Sequence, residues 1–125
     1  MKKDKKLKKI LIVDDDDNFR RFILRVLIKE YENLYEAKDA FNALDIFEKE
    51  KFELIILDIF IPKMSGLELA KKILSKHENV KFIIISGYTD NIDDADDIVK
   101  KNSIFLKKPF TPQKLIEAVE KLYFL

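Results

Sequence analysis

Residues 10–17 read Ile-Leu-Ile-Val-Asp-Asp-Asp-Asp. Four consecutive aliphatic residues suit a strand buried on both faces, the habit of strands in parallel sheets. The acids follow at its C-terminal end. The same arrangement recurs three times: Leu54-Ile55-Ile56-Leu57 ends on Asp58, Phe82-Ile83-Ile84-Ile85 on Ser86, and Ile104-Phe105-Leu106 on Lys107-Lys108-Pro109. In an open parallel α/β sheet all strand C-termini lie along one edge, and ligands bind there. Acids, a hydroxyl and a lysine that are distant in sequence are therefore expected to meet.

Helical patterns fill the gaps between strands. The expected strands are Ile10–Val13, Asn33–Ala37, Phe52–Leu57, Val80–Ile85 and Ser103–Lys107. Phe19, Phe22, Ile23, Val26 and Leu27 recur at i, i+3, i+4, i+7 and i+8, one face of a helix over Asn18–Tyr31. Ala40, Leu44 and Phe47 mark a second helix. Ser65-Gly66-Leu67-Glu68 is a capping box that opens a third. Ile92, Ala95 and Val99 mark a weakly amphipathic fourth. Thr111 as N-cap and Pro112 at the first helical position start a fifth, with Leu115, Ile116, Val119, Leu122 and Tyr123 on its core face. Five βα units with short loops and right-handed crossovers imply an open sheet with helices on both faces.

Composition narrows the function. A chain of 125 residues, 47% hydrophobic and 38% charged, suits one domain with a well-covered surface. It has no cysteine and a single histidine, His77, which excludes thiolate sites, His-rich metal sites and a Ser-His-Asp triad. No apolar run reaches the roughly 20 residues of a membrane span, and no signal peptide is visible, so a cytoplasmic protein without membrane contact is expected. Residues 1–9 carry six lysines and one aspartate, +5, which leaves the remainder at −4 within a net charge of +1. Residues 1–7 read as a basic tail, a solvating arm or a contact for an acidic partner or nucleic acid. Residues 8–125 form the expected domain, too acidic to bind nucleic acid itself. The two glycines, Gly66 and Gly87, sit in no phosphate-cradling pattern.

The expected edge is suited to phosphate chemistry. Asp14 to Asp17 and Asp58 crowd carboxylates that repel and raise one another's pKa. A hard cation relieves this, and oxygen-only ligands select Mg²⁺, Mn²⁺ or Ca²⁺. Asp16 and Asp17 also suit the N-terminus of the following helix. Asp58 is the nucleophile candidate, a carboxylate that can accept a phosphoryl group as a mixed anhydride. Lys108 offers a positive charge and Ser86 a hydroxyl for phosphate oxygens. Lys108-Pro109 is a candidate cis peptide bond.

These motifs together resemble the receiver domain of bacterial two-component response regulators. The likeness rests on Ile10–Asp15, on Leu54–Asp58 with Pro62 and Gly66 following, on Ser86-Gly87, and on Phe105 to Pro109, and it covers roughly residues 8–125. It implies a flavodoxin-like sheet in the order 2-1-3-4-5. It implies Asp58 as phosphoacceptor, with Asp14, Asp15, Asp58 and the backbone carbonyl of Phe60 around Mg²⁺ (or Mn²⁺). Lys108 and Ser86 would contact the phosphoryl group, Ser86 and Phe105 would form the switch, and the aromatics Phe60 and Tyr88 would set the lifetime of the phosphorylated state. Implied partners are a sensor histidine kinase or phosphotransfer protein and an unidentified downstream protein. Lys101-Asn102 replaces a small pair common before the last strand, and Asn102 is expected in the left-handed turn that glycine would take. Residues 90–97 carry five aspartates, an unusually acidic stretch.

Two rival readings have their own predictions. A haloacid-dehalogenase-like phosphatase would use Asp14 in Asp14-Asp15-Asp16, with Ser86 and Lys108 as later motifs. It lacks the expected Thr or Val at Asn18 and an acidic pair after Lys108, and it leaves Asp58 idle. A receiver-fold binding module that is never phosphorylated would lack an acid, the acceptor or the lysine, all present here.

Overall fold

Aliphatic runs that are buried on both sides need a layer of helices above and below them, and the chain provides both. The computed structural model describes residues 8–87 and 95–124. Strands β1 (Lys9–Val13), β2 (Asn33–Ala37), β3 (Leu54–Asp58), β4 (Lys81–Ser86) and β5 (Ser103–Lys107) alternate with helices α1 (Asp17–Leu27), α2 (Ala40–Lys49), α3 (Gly66–Leu74), α4 (Asp97–Lys101) and α5 (Pro112–Phe124). The strands form one sheet in the order β2-β1-β3-β4-β5, every pair parallel. The expected flavodoxin-like order is the observed one.

Side-chain alternation divides the core in two. Ile10 and Ile12 of β1 join Ile23 and Leu27 of α1 and Leu115 and Val119 of α5. Leu11 and Val13 face the other way, into a cluster with Phe47 of α2, Leu69 and Ile73 of α3 and Val99 of α4. Burying a Leu or Ile side chain contributes about 1.5–3 kcal/mol, so a strand with both faces buried is held strongly in register. That rigidity makes the C-terminal edge a fixed platform.

Capping follows local chemistry. Asp16 accepts from the backbone N–H groups of Asn18 and Phe19 at 2.9 and 3.2 Å. Ser65 Oγ accepts from Glu68 N at 3.1 Å. Thr111 Oγ1 accepts from Lys114 N at 3.2 Å, ahead of Pro112.

The structure corrects some boundaries. Helix α1 ends at Leu27 rather than Tyr31, where the chain tightens into turns and the N–H groups of both Glu30 and Tyr31 reach the Leu27 carbonyl. Strand β3 begins at Leu54, because Phe52 leaves the ladder to pack against Tyr35 and Phe47, with ring centroids 5.0 and 6.0 Å away. Strand β4 runs one residue later than expected, through Ser86. Asn102 is not left-handed: its φ is −107°. Its side chain makes the turn instead, donating to the Ile98 carbonyl and accepting from Lys81 Nζ, both at 2.8 Å. The basic tail 1–7, Tyr88, Thr89 and residues 90–94 of the acidic stretch lie outside the described residues. Among the described residues no helix is long and apolar enough to cross a membrane.

Candidate phosphoryl-acceptor site

Asp14 leaves β1 with its N–H still bonded to the Ala37 carbonyl, 3.1 Å away, so the strand pairing carries it to the sheet edge. It is 5% exposed. Its Oδ1 accepts from Asp16 N at 2.8 Å, which folds the acidic run back on itself before α1 begins. Arg20, one turn into α1, fastens this loop. Its Nη1 donates to the Asp14 carbonyl at 2.7 Å, its Nε to Glu36 at 3.0 Å and its Nη2 to Asp17 at 2.5 Å. Asp17 is thereby turned away to pair with Arg20, and Asp16 is spent partly on the helix cap.

Asp58 ends β3. Its Oδ1 accepts from Phe60 N at 2.9 Å and its Oδ2 from Lys108 Nζ at 2.8 Å. The carboxylate side chain is 12% exposed and the lysine 41%. The backbone of Lys108 is tied to the sheet by a bond from its N–H to the Ser86 carbonyl at 2.9 Å, and the Lys108-Pro109 peptide bond is cis. Asp14, Asp15, Asp16, Asp58, Phe60, Gly87 and Lys108 line one open pocket of about 540 Å³. Ser86 lies beside it, buried at the end of β4. Phe105 does not line the pocket: it is half-buried on β5 and packs into the core cluster beneath α2, α3 and α4. His77 is at the opposite edge, its ring 4.8 Å from that of Phe47.

The β3–α3 loop turns close against Asp58. Gly66 N donates to the Ile59 carbonyl at 2.7 Å. A side chain there would land on the Asp58 carbonyl oxygen and within 2.8 Å of Leu57 Cδ1. Lys63, with φ of 83°, takes the left-handed conformation that completes the turn.

Electrostatics favour a filled pocket. Burial is the main reason that Asp14 holds its proton more tightly than a free carboxyl. The Asp16 N–H works against this, and the neighbouring charge of Asp58 adds to it. The crowding expected from sequence is thus present at Asp14 but second to desolvation. Burial pulls Lys108 down, yet its bond to Asp58 and the charges of Asp58, Asp14 and Asp16 outweigh that, leaving its ammonium favoured overall.

The donor set fits a hard cation. Every candidate ligand is oxygen, and no histidine or cysteine stands near. Among the described residues no three or more acidic or His side chains converge as a ready-made cage. Mg²⁺ does not need one, because it is commonly held by one or two carboxylates with water completing the shell. Asp14 and Asp58 can supply these, with Asp15 and the Phe60 carbonyl as further donors at the same pocket.

Arg20 and Phe19 are the site residues that sequence reading missed. An i, i+3 Asp17–Arg20 pair is a visible signal for the first. Phe19 reads simply as core, although its ring lies 4.5 Å from Lys108 Nζ.

Comparison with known proteins agrees with this geometry. The family model described as response regulator receiver domain matches residues 10–120. The chain is 35% identical to sporulation initiation phosphotransferase F of Bacillus subtilis, over 90% of this chain and 91% of that one. It is 28% identical to the response regulator receiver protein CpdR of Brucella abortus, over 93% and 97%. A solved receiver domain protein (CheY-like) from Methanospirillum hungatei superposes with a TM-score of 0.81 at 31% identity, over 92% of each chain. A β1 end with paired acids, a β3 end with an aspartate and a β5 end with a lysine, on a 2-1-3-4-5 sheet, are what this match spans: the chain belongs to the response regulator receiver domain family.

Proposed function

We propose that Asp58 accepts a phosphoryl group from a sensor histidine kinase or phosphotransfer protein, and that the acceptor state switches a protein-binding face. The observation that carries this is the Asp58–Lys108 contact of 2.8 Å inside a pocket walled by further carboxylates. A lone surface ion pair has no need of acids on its other side.

In this reading the P–N bond of a phosphohistidine breaks as a P–O bond to Asp58 forms, and the leaving imidazole keeps the electron pair. Phe60 N–H holds Oδ1 in place, so Oδ2, which faces the Lys108 ammonium, is the attacking oxygen. Lys108 then follows the charge onto a phosphoryl oxygen, and the Ser86 hydroxyl donates to another. Asp14 and Asp15, with Asp58 and the Phe60 carbonyl, would hold Mg²⁺ or Mn²⁺, which would supply positive charge to offset that of the phosphoryl group. Phe60, 71% exposed at the pocket rim, hinders water from attacking the anhydride. The phosphatase reading is weaker, since Asp14 is buried and already engaged by Asp16 N. A cytoplasmic location, with no direct nucleic-acid or membrane contact, belongs to the same proposal and is checked by cell fractionation.

The test is labelling by acetyl phosphate. Wild type should acquire one alkali-labile phosphoryl group with Mg²⁺ or Mn²⁺ present, and none in EDTA. Asp58→Asn should lose it. Label on Asp58→Asn at the wild-type level, or equal labelling in EDTA, would sink the assignment. The same label followed in time tests the shield, with faster decay expected in Phe60→Asn.

A further inference from the structure

We propose that Phe19 is a positioning residue that holds the Lys108 ammonium over its ring and so keeps it beside Asp58, an inference that rests on Asp58 being the phosphoacceptor. Lys108 Nζ lies 4.5 Å from the Phe19 ring centroid and 2.8 Å from Asp58 Oδ2. At that distance a cation is attracted by the ring's negative face. The lysine needs such a holder. Its side chain is 41% exposed, and a lysine on a flexible four-carbon stem otherwise samples many rotamers.

The ring itself is fixed from three directions. Its backbone N–H is bound by the Asp16 cap at 3.2 Å. Its ring is 6.1 Å from Phe22 and 6.0 Å, edge-on, from Phe110, and Phe22 and Phe110 close the triangle at 6.1 Å. Phe110 follows Lys108 by two residues, so the aromatic triangle joins the start of α1 to the turn that carries the lysine. The contact also differs in kind from the ion pair. Asp58 changes charge and shape when phosphorylated, whereas the ring is neutral and unchanged. It can therefore hold the ammonium in place while the lysine exchanges a carboxylate oxygen for a phosphoryl oxygen.

Two measurements test this. The first is NMR of the wild-type protein: the ε-protons of Lys108 should carry an upfield ring-current shift that disappears in Phe19→Leu and survives in Phe19→Tyr. The second is the rate of Asp58 labelling by acetyl phosphate. Phe19→Leu should slow it roughly 2- to 5-fold, the range of an exposed cation–π contact, and Phe19→Tyr should restore it. In a Lys108→Met background Phe19→Leu should have no further effect. A loss of equal size in both backgrounds would show that Phe19 acts through packing and not through Lys108, and would overturn the proposal. So would wild-type Lys108 ε-protons with no upfield shift, a result that needs no variant to fold. Failure of the wild type to be labelled at Asp58 would instead overturn the phosphoacceptor reading, while the ring-current measurement would still decide whether Phe19 holds Lys108.

Discussion

Asp14 carries the electrostatic strain of the site. It sits at the end of a buried strand, so desolvation favours its neutral form, and Asp58 pushes the same way. A carboxyl whose folded pKa lies above its unfolded value contributes stability that is present below the unfolded pKa and lost as pH rises through the folded one. In metal-free buffer the melting temperature should therefore contain a declining component that starts near the ordinary value of 3.8 and ends above it. Asp14→Asn should remove that component, because the amide keeps an acceptor for the Asp16 N–H and has no charge to bury. It should raise the metal-free melting temperature at pH 7 and lose the stabilisation by Mg²⁺ that the proposed site predicts for wild type. The check is thermal unfolding in EDTA and in Mg²⁺ across pH 4 to 7. A variant that melts below wild type in EDTA at neutral pH would count against the argument. Asp14, Asp58 and Lys108 could be read from the sequence because each follows an aliphatic run, and strand ends converge by topology alone. Arg20 could be suspected only as a partner for Asp17. Its bonds to the Asp14 carbonyl and to Glu36 join α1 to the end of β1 and to β2, a meeting that no local pattern encodes. Phe19 was hidden for the opposite reason: helical periodicity explained it completely as core.

Among the elements, the β3–α3 loop has the least freedom. Gly66 passes so close to the Asp58 backbone that a methyl group would meet its carbonyl oxygen and Leu57 Cδ1. Neither neighbour is the end of a long flexible side chain, so backbone must move. Gly66→Ala should cost about 1–3 kcal/mol, the usual range for forcing extra volume into a packed site. It should also slow Asp58 labelling, since the displaced carbonyl belongs to the proposed acceptor itself. Denaturant unfolding together with acetyl phosphate labelling reads both effects, and an unchanged midpoint would mean that the loop can yield. The capping box at Ser65 was visible in sequence because its polar spacing is local. The turn before β5 was misread for a related reason. Asparagine suits a left-handed backbone, but here its buried amide finds partners in Ile98 and Lys81 without one. The second partner is on another strand, and that is information a local rule does not hold.

At the scale of the whole molecule, the sheet is a wall between two cores, and register decides which core each switch residue enters. Ile84 pairs with Phe105 and Ser86 with Lys107. Side chains alternate along a strand, so Ser86 points to the same face as Ile84, which shares a core cluster with Phe105. The two switch candidates therefore stand on one side of the sheet, beneath α2, α3 and α4, on adjacent strands. In the proposed switch, phosphorylation would replace the single negative charge of the Asp58 carboxylate with the roughly −1.5 to −2 of a phosphoryl group. A Ser86 hydroxyl drawn toward it would open space on that face, and the half-buried Phe105 ring is the neighbour placed to fill it. The surface expected to change is the one formed by β5 and α4, where Ile98 is 42% exposed and the exposed Lys71–Asp96 pair makes a contact of 2.7 Å. Such a pair is worth about 0.2–1 kcal/mol, so it offers little resistance. A local charge biasing a two-position element is sufficient for a switch. Beryllofluoride with Mg²⁺ should mimic the phosphorylated state and shift the backbone amide resonances of Phe105 and Val99 in wild type. In Ser86→Ala the amides beside Asp58 should still respond, while those of Phe105 and Val99 should stay near their unliganded positions. Phe105→Ala should likewise uncouple Val99. If Val99 moves equally in all three proteins, the signal reaches α4 without this pair, and the hydroxyl and the ring are bystanders to the change.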